Sequence, residues 1–200
     1  IVLGHADQIS NYTLEQIRKF YPSIKFCQWF LDRMDNKNWK TNKLRFLSKI
    51  ESLDASFCTT HPSSLGNLKS KKIFFIPNPV DQTFENMKIY KNKVYKYDLF
   101  FAISHGVHRG ILRKGKIDKR ESFILKLMNG NNQIKFNIFG MKNNQPVWAE
   151  EFKNELSKSK MALNLSQGNP LKFYSSDRLA QLIGNGILTF VDVRTQLNKL

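Results

Sequence analysis

The stretch that most constrains the fold lies near the end of the chain, at residues 172–192. It reads as loop, helix, tight turn and strand. Ser175 or Ser176 is placed to cap the helix, because a short hydroxyl accepts from the unpaired amides of a first turn. Leu179, Leu182 and Ile183 recur at helical spacing, which sends that face to a core. Gly184-Asn185-Gly186 supplies residues that tolerate positive φ and end a helix. The apolar run that follows, 187–191, is short enough for a strand buried on both faces.

Polar groups collect on the other side. Tyr174, Arg178 and Gln181 fall close to one stripe, and Asp177 stands one turn before Gln181. A loop entering a helix aims backbone N–H groups and the positive dipole end outward, which suits an anion such as a phosphate. Arg178 adds a forked donor for the same charge, and Asp177 and Gln181 can pair with sugar hydroxyls. The competing reading is a capped core helix with a solvated polar face.

The rest of the chain alternates in the same way. Residues 1–4 read as a strand end running into a polar loop with His5 and Asp7. Thr13 to Gln16 has the form of a capping box, with Ile17 and Phe20 on the apolar side of a short helix that ends near Pro22. Residues 24–31 form a strand leading to Asp32. The loop 35–39 opens a second helix with Leu44, Leu47 and Ile50 inward. Strands follow at 55–59 and 73–76. Two prolines in Pro77-Asn78-Pro79-Val80-Asp81 then fix an extended turn. The Lys-rich, weakly patterned stretch 82–97 reads as a linker, giving domains at 1–81 and 98–200. A strong strand at 98–104 enters the donor-rich loop Ser104-His105-Gly106-Val107-His108-Arg109-Gly110. Helices are expected around Phe123, Ile124 and Leu127 and around Trp148, Phe152 and Leu156, with strands at 134–139 and 161–165. Such alternation predicts an α/β chain of parallel units. Ligands of open α/β sheets sit at the carboxyl ends of the strands, where both the 104–110 loop and the loop before Asp177 fall. Two cationic turns at one sheet edge describe a diphosphate pocket better than either does alone.

The 200 residues carry 32 Lys and Arg against 16 Asp and Glu, a formal charge of +16. Such a surface attracts anions: nucleic acid, phosphorylated small molecules or an anionic membrane. The lysines are spread along the chain, so a merely basic protein accounts for the charge equally well. Cys27 and Cys58 lack metal-ligand spacing and read as buried free thiols of a reducing compartment. No apolar run approaches the roughly 18 residues of a membrane span. The expected location is cytoplasmic, with peripheral contact at the inner face of an anionic membrane allowed by the charge. The start at Ile1 and the stop soon after a strand suggest a fragment.

Three segments together resemble a known family. Ile76-Pro77-Asn78-Pro79-Val80-Asp81, Ser176-Asp177-Arg178-Leu179-Ala180-Gln181 and Gly186-Ile187-Leu188-Thr189 are similar to the C-terminal domain of GT-B glycosyltransferases, closest to the CgeB-like, spore-maturation type. The stretch from Trp29 to Asp32 is similar to the N-terminal domain of that family. The resemblance implies two Rossmann-like domains facing a cleft, the N-terminal one truncated. The C-terminal domain would hold a nucleotide-sugar donor and the other the acceptor: a glycan, a glycolipid or a protein. Carried over, Arg178 would meet the donor diphosphate or the adjoining sugar, and the loop from Ser104 to Gly110 would approach the diphosphate with Arg109 as its best charge. Donor contacts would thus come from Ser104, His105, Gly106, Arg109, Gly110, Tyr174, Ser175, Ser176, Asp177, Arg178 and Gln181. Many relatives carry Glu where Gln181 stands; Gln can still bond a ribose hydroxyl, without charge.

Glycosyl transfer needs the negative charge of the leaving diphosphate stabilised. The chain has no Asp-x-Asp element to hold a cation, so basic loops and a helix amino end would do this, with no cofactor and no metal. His5, Asp7 and Asp32, in or beside strand-end loops, are candidates for a general base. His105 and His108 are better placed to touch the donor. Two rivals stay open: a noncatalytic nucleotide-sugar-binding remnant, suggested by Gln181, and a basic nucleic-acid-binding protein. The second expects aromatics interleaved with Lys and Arg on one exposed face, whereas most aromatics here sit at inward positions, so no nucleic-acid partner is expected.

Overall fold

In the computed structural model, residues 1–4, 6–35, 40–66, 72–103, 107–108, 111–112 and 119–199 are described. The chain divides into two compact units. The first comprises Ile1–Pro79, Leu171–Asp177 and Val193–Leu200; the second comprises Val80–Pro170 and Arg178–Asp192.

The first unit is built on a parallel sheet of β1 (Val2–Gly4), β2 (Cys27–Phe30), β3 (Ala55–Cys58) and β4 (Ile73–Phe75), in that spatial order. Helix α1 (Asn11–Phe20) connects β1 to β2, and α2 (Lys40–Leu47) connects β2 to β3. Alternation along β2 and β3 sends Phe30 and Cys58 to one face, where Met34, Phe46, Ile50, Leu65 and Ile73 join them. Ala6, Leu14, Phe26 and Leu53 form a second cluster with α1. Gln28 is fully buried and donates from Nε2 to the Phe46 carbonyl and to Ser56 Oγ.

Local details depart from the sequence reading. The cap of α1 is Ser10, whose Oγ accepts from the Thr13 amide at 3.0 Å, so the helix begins before the Thr13 capping box. Phe20 is exposed and Leu14 carries the inner face. In α2 it is Phe46, not Leu44, that is buried. Amphipathic phase alone cannot choose between neighbours when apolar residues are dense. Both cysteines are free thiols, Cys58 buried and Cys27 half-buried.

The second unit is a parallel sheet ordered β10 (Leu188–Val191), β9 (Ser159–Asn164), β5 (Tyr97–Ala102), β8 (Phe136–Phe139). Helix α3 (Lys119–Asn129) lies between β5 and β8 in sequence, α4 (Ala149–Leu156) between β8 and β9, and α5 (Asp177–Gly184) between β9 and β10. A short antiparallel pair, β6 (Val107–His108) and β7 (Ile111–Leu112), follows β5. β5 has a partner on each side, and its Leu99, Phe100, Phe101 and Ala102 are all buried. Phe100 and Ala102 face Phe152, Leu156, Leu182 and Ile187. Phe101 faces Ile124, Ile138 and Met141. Both faces of the sheet are therefore covered, as parallel sheets require.

Three inward assignments fail here. Trp148 and Ile183 are exposed, and the helix faces are carried by Phe152, Leu156, Leu179 and Leu182. The strand at 188–191 is not buried on both faces. It pairs only with β9 among the described strands and leaves Leu188 and Phe190 62% and 48% exposed. The Gly184-Asn185-Gly186 turn holds residues 80–92 against the unit. Ile89 donates its amide to the Asn185 carbonyl and Tyr90 its amide to the Gly186 carbonyl. A Cβ on Gly184 would fall 2.6 Å from Val80 Cγ1, and one on Gly186, at φ +75°, 2.6 Å from Tyr90 Cδ1.

Candidate functional site

The second sheet changes winding direction at β5. The chain passes from β5 to β8 on one side and then returns to β9 on the other, so the carboxyl ends of β5 and β9 flank a topological switch point. Connections diverging from two adjacent strand ends leave a crevice there, the usual ligand position of such sheets.

Arg178, in the first turn of α5, fills the base of that crevice. Its Nη1 donates to the Ala102 carbonyl at 2.8 Å, its Nη2 to the Leu165 carbonyl at 2.6 Å and its Nε to Asn164 Oδ1 at 3.1 Å. The planar fork thus ties the end of β5 to the end of β9. Arg120 Nη1 reaches the same Leu165 carbonyl at 3.3 Å. A second constraint comes from Gly140 at the end of β8. Its φ is +77°, and a Cβ there would lie 1.7 Å from the Ile103 carbonyl oxygen. Ile103, itself buried, is the last described residue before the 104–106 segment. Two contacts, Arg178 on Ala102 and Gly140 against Ile103, therefore fix where the chain leaves β5.

Gln181 lies one turn along α5 and is exposed, with no side-chain hydrogen bond among the described residues. Arg178 and Gln181 share a helix face as expected. Tyr174 does not, because the helix starts only at Asp177 and Tyr174 sits in an antiparallel bridge with Thr60.

The residues before the helix, Leu171–Asp177, belong to the first unit and run along the ends of its strands. The Ser175 amide donates to the Thr59 carbonyl and the His61 amide to the Phe173 carbonyl. Ser175 is buried, and its Oγ accepts from the Asn78 amide while its carbonyl accepts from Asn78 Nδ2, both at 3.1 Å. Ser175 is accordingly an anchor of this strap rather than a helix cap. The Pro77-Asn78-Pro79 phrase, read from sequence as a turn, supplies the residue that holds it. The Asp177 carboxyl is pushed above its ordinary range by desolvation first and by the neighbouring Asp32 charge second.

Asp32 and Asp7, the two described candidates for a base, share one arginine. Arg45 donates from Nε to Asp7 Oδ2 at 2.9 Å and from Nη2 to Asp7 Oδ1 at 3.3 Å, and its Nη1 lies 3.9 Å from Asp32 Oδ2. The Asp7 hydrogen bond raises the Arg45 pKa further. Asp7 is engaged by both oxygens, whereas the Asp32 side chain is 48% exposed.

His5, Ser104, His105, Gly106, Arg109 and Gly110 lie outside the described residues, as do Arg113, Lys114 and Lys116; His108 is described in its backbone only. Sequence reasoning missed Asn164, Arg120, Gly140 and Arg45. Only Gly140 left a signal, a glycine directly after a strand; the others are ordinary polar residues whose roles depend on distant partners.

Residues 116–200 match a family model described as glycosyl transferase-like. No curated protein matches the chain. The matched segment carries α3, β8, α4, β9, α5 and β10. It supports a glycosyltransferase-like domain in this part of the chain and glycosyl transfer as the general activity. Two parallel four-stranded sheets with interspersed helices agree with Rossmann-like units.

Proposed function

We propose that the chain is a glycosyltransferase of GT-B type, CgeB-like, that moves a sugar from a nucleotide-sugar donor to a glycan, lipid or protein acceptor without a metal. The single observation that carries this reading is Arg178: it stands at the switch point of the second sheet, inside the segment matched by a glycosyl transferase-like family model. A cation set between two strand ends gives a donor diphosphate a positive potential on a low-dielectric floor, where fixed charge stabilises a leaving group best. The Ser104–Gly110 loop, with Arg109, would supply further positive charge to the same diphosphate. Gln181 would bond a sugar hydroxyl of the donor, and Asp177, Ser176 and Tyr174 would contribute polar contacts. Asp32 would act as the base, with Asp7 holding Arg45 beside it. The basic surface is compatible with work at the inner face of an anionic membrane.

A second reading, a noncatalytic nucleotide-sugar binder, is favoured by one residue: the neutral amide of Gln181 in place of a carboxylate. Thermal shift with a panel of nucleotide sugars tests the donor site, because a ligand at 100 times its Kd adds about 2.7 kcal/mol to native stability. A melting point raised by one UDP- or GDP-sugar, together with slow release of nucleoside diphosphate, supports transfer. A shift without any turnover in the full-length protein supports the binder. No shift from any member of the panel removes the donor site altogether.

A further inference from the structure

The segment 82–97 is the part of the sequence that the transfer reading does not use, and it is far from slack. Ile89 is 1% exposed and packs with Phe100, Leu182 and Ile187. The Tyr95 hydroxyl donates to the Ile89 carbonyl at 2.8 Å, Asn92 Nδ2 to the Ser157 carbonyl at 3.2 Å, and the Lys96 amide to the Lys158 carbonyl at 2.9 Å. Lys88 adopts φ +50°, which turns the chain into the short 3-10 turn Ile89–Lys91. Residues 88–96 are therefore a pinned surface loop.

This loop presents both charge and apolar surface. Lys88, Lys91, Lys93 and Lys96 are all exposed, and no Asp or Glu falls among residues 86–97. Between the lysines stand two largely exposed apolar side chains, Tyr90 at 66% exposure with one ring edge against Gly186, and Val94 at 84%. Of the neighbouring carboxylates, Glu155 Oε1 takes Lys158 Nζ at 2.6 Å and also feels the charge of Lys96, whose Nζ stands 5.2 Å from the Tyr97 ring centroid, and Asp98 Oδ2 accepts the Lys135 amide at 2.8 Å. The loop lies beside the amino ends of β5 and β9, since Lys96 and Tyr97 both bond the carbonyl of Lys158. It is thus at the opposite end of the second sheet from Arg178.

We infer that residues 88–96 are a docking face for an anionic lipid bilayer, with the lysines on headgroup phosphates and Tyr90 and Val94 entering the interfacial layer. Lysine is a compact point charge on a long apolar stem, suited to a dense field of headgroups. Tyrosine favours the membrane–water boundary, where its ring is buried and its hydroxyl wet. A branched aliphatic at the loop tip has a use in an acyl boundary and none against a polynucleotide, which would call for a series of stacking rings. Docking at this end leaves the carboxyl ends of β5 and β9 clear. The inference does not depend on the transfer reading.

Cosedimentation with vesicles tests it. The full chain is mixed with vesicles of pure phosphatidylcholine or of phosphatidylcholine with about one-third phosphatidylserine, since anionic lipid sets the surface potential. Binding is expected to the anionic vesicles alone and to fall as salt screens the surface. A Lys91→Ser/Lys93→Ser/Lys96→Ser variant should bind about a hundredfold more weakly, at about fivefold per lysine. Val94→Asp should lose severalfold while keeping all the lysines. Unchanged melting points would show both variants folded, and an unchanged nucleotide-sugar shift would separate loss of docking from loss of the donor site. Equal binding to both vesicle types, or wild-type binding by the lysine variant, overturns the inference. So does displacement from vesicles by a single-stranded oligonucleotide that binds more tightly, which would make the face a nucleic-acid surface.

Discussion

Replacing Arg178 by Met keeps the stem and removes the fork. In the structure the guanidinium spans the Ala102 carbonyl, the Leu165 carbonyl and Asn164 Oδ1 at 2.8, 2.6 and 3.1 Å. A hydrogen bond from a charged donor contributes about 1.5–3 kcal/mol, and leaving a buried acceptor unpaired costs a further ~1–3 kcal/mol. Leu165 retains Arg120 as a donor, and Arg178 is itself half-buried, so water can reach part of the gap. The expected loss for Arg178→Met is therefore about 3 kcal/mol, below the simple sum of those contributions. Arg178→Lys restores a charge but can make only one of the three contacts in the same plane, so it should recover no more than about 1 kcal/mol. Urea unfolding measures the loss, and hydrogen exchange without ligand locates it: amides of Ile103 and of Leu165 should exchange faster in Arg178→Met. A loss below about 1 kcal/mol with unchanged exchange at both positions would refute the strand-end clamp. A corollary is that Arg178→Ala is a poor test of donor binding, because it weakens the framework of the site as well as removing charge.

Gly140→Ala should destabilise the second unit by at least about 2 kcal/mol, since the methyl group meets the Ile103 carbonyl and the backbone is held at positive φ; a melting point within a degree or so of wild type would contradict that packing. The Cys58 thiol, buried and pushed up to about 12, should resist iodoacetamide at mildly alkaline pH in the native protein. Half-buried Cys27 should be labelled first, and mass spectrometry of the alkylated peptides decides the order. Asp177 is raised from an ordinary value of 3.8 by desolvation and then by Asp32. The native state therefore favours the protonated form: the contribution is complete below the unfolded pKa and is lost as pH rises through the folded one. Asp177→Asn should melt above wild type at pH near 7 and converge with it in acid; a lower melting point than wild type at neutral pH would show that the carboxylate stabilises its helix end instead.

The alternation of strands and helices was legible because each strand is a short apolar run closed by polar loops. Phe100 and Phe101 in β5 mark a doubly buried strand in sequence as plainly as in space. Which apolar residue on a helix faces inward is less legible, as Phe46 against Leu44 and Leu182 against Ile183 show, because each position turns the phase by about 100° and both members of each pair are apolar. The edge position of β10 was illegible: an apolar run reads the same at an edge and in the middle of a sheet. At the candidate site, Arg178 stands out in the sequence for its place at a helix start, but its three acceptors do not, since two are backbone carbonyls 76 and 13 residues away. Ser175, one of the two caps that the sequence allows, is an anchor instead, for a similar reason. Its partner Asn78 is 97 residues distant, and a local rule sees only the helix that follows.

In the proposed function, a nucleotide sugar sits over the carboxyl ends of β5 and β9. Hydrogen exchange of the full chain with and without the nucleotide sugar that shifts its melting point most tests this directly. Slowed amides at 103–110 and 178–182, with the amino ends of β5 and β9 unaffected, are the predicted footprint. Protection confined to other segments, with those two unchanged, would contradict the claim.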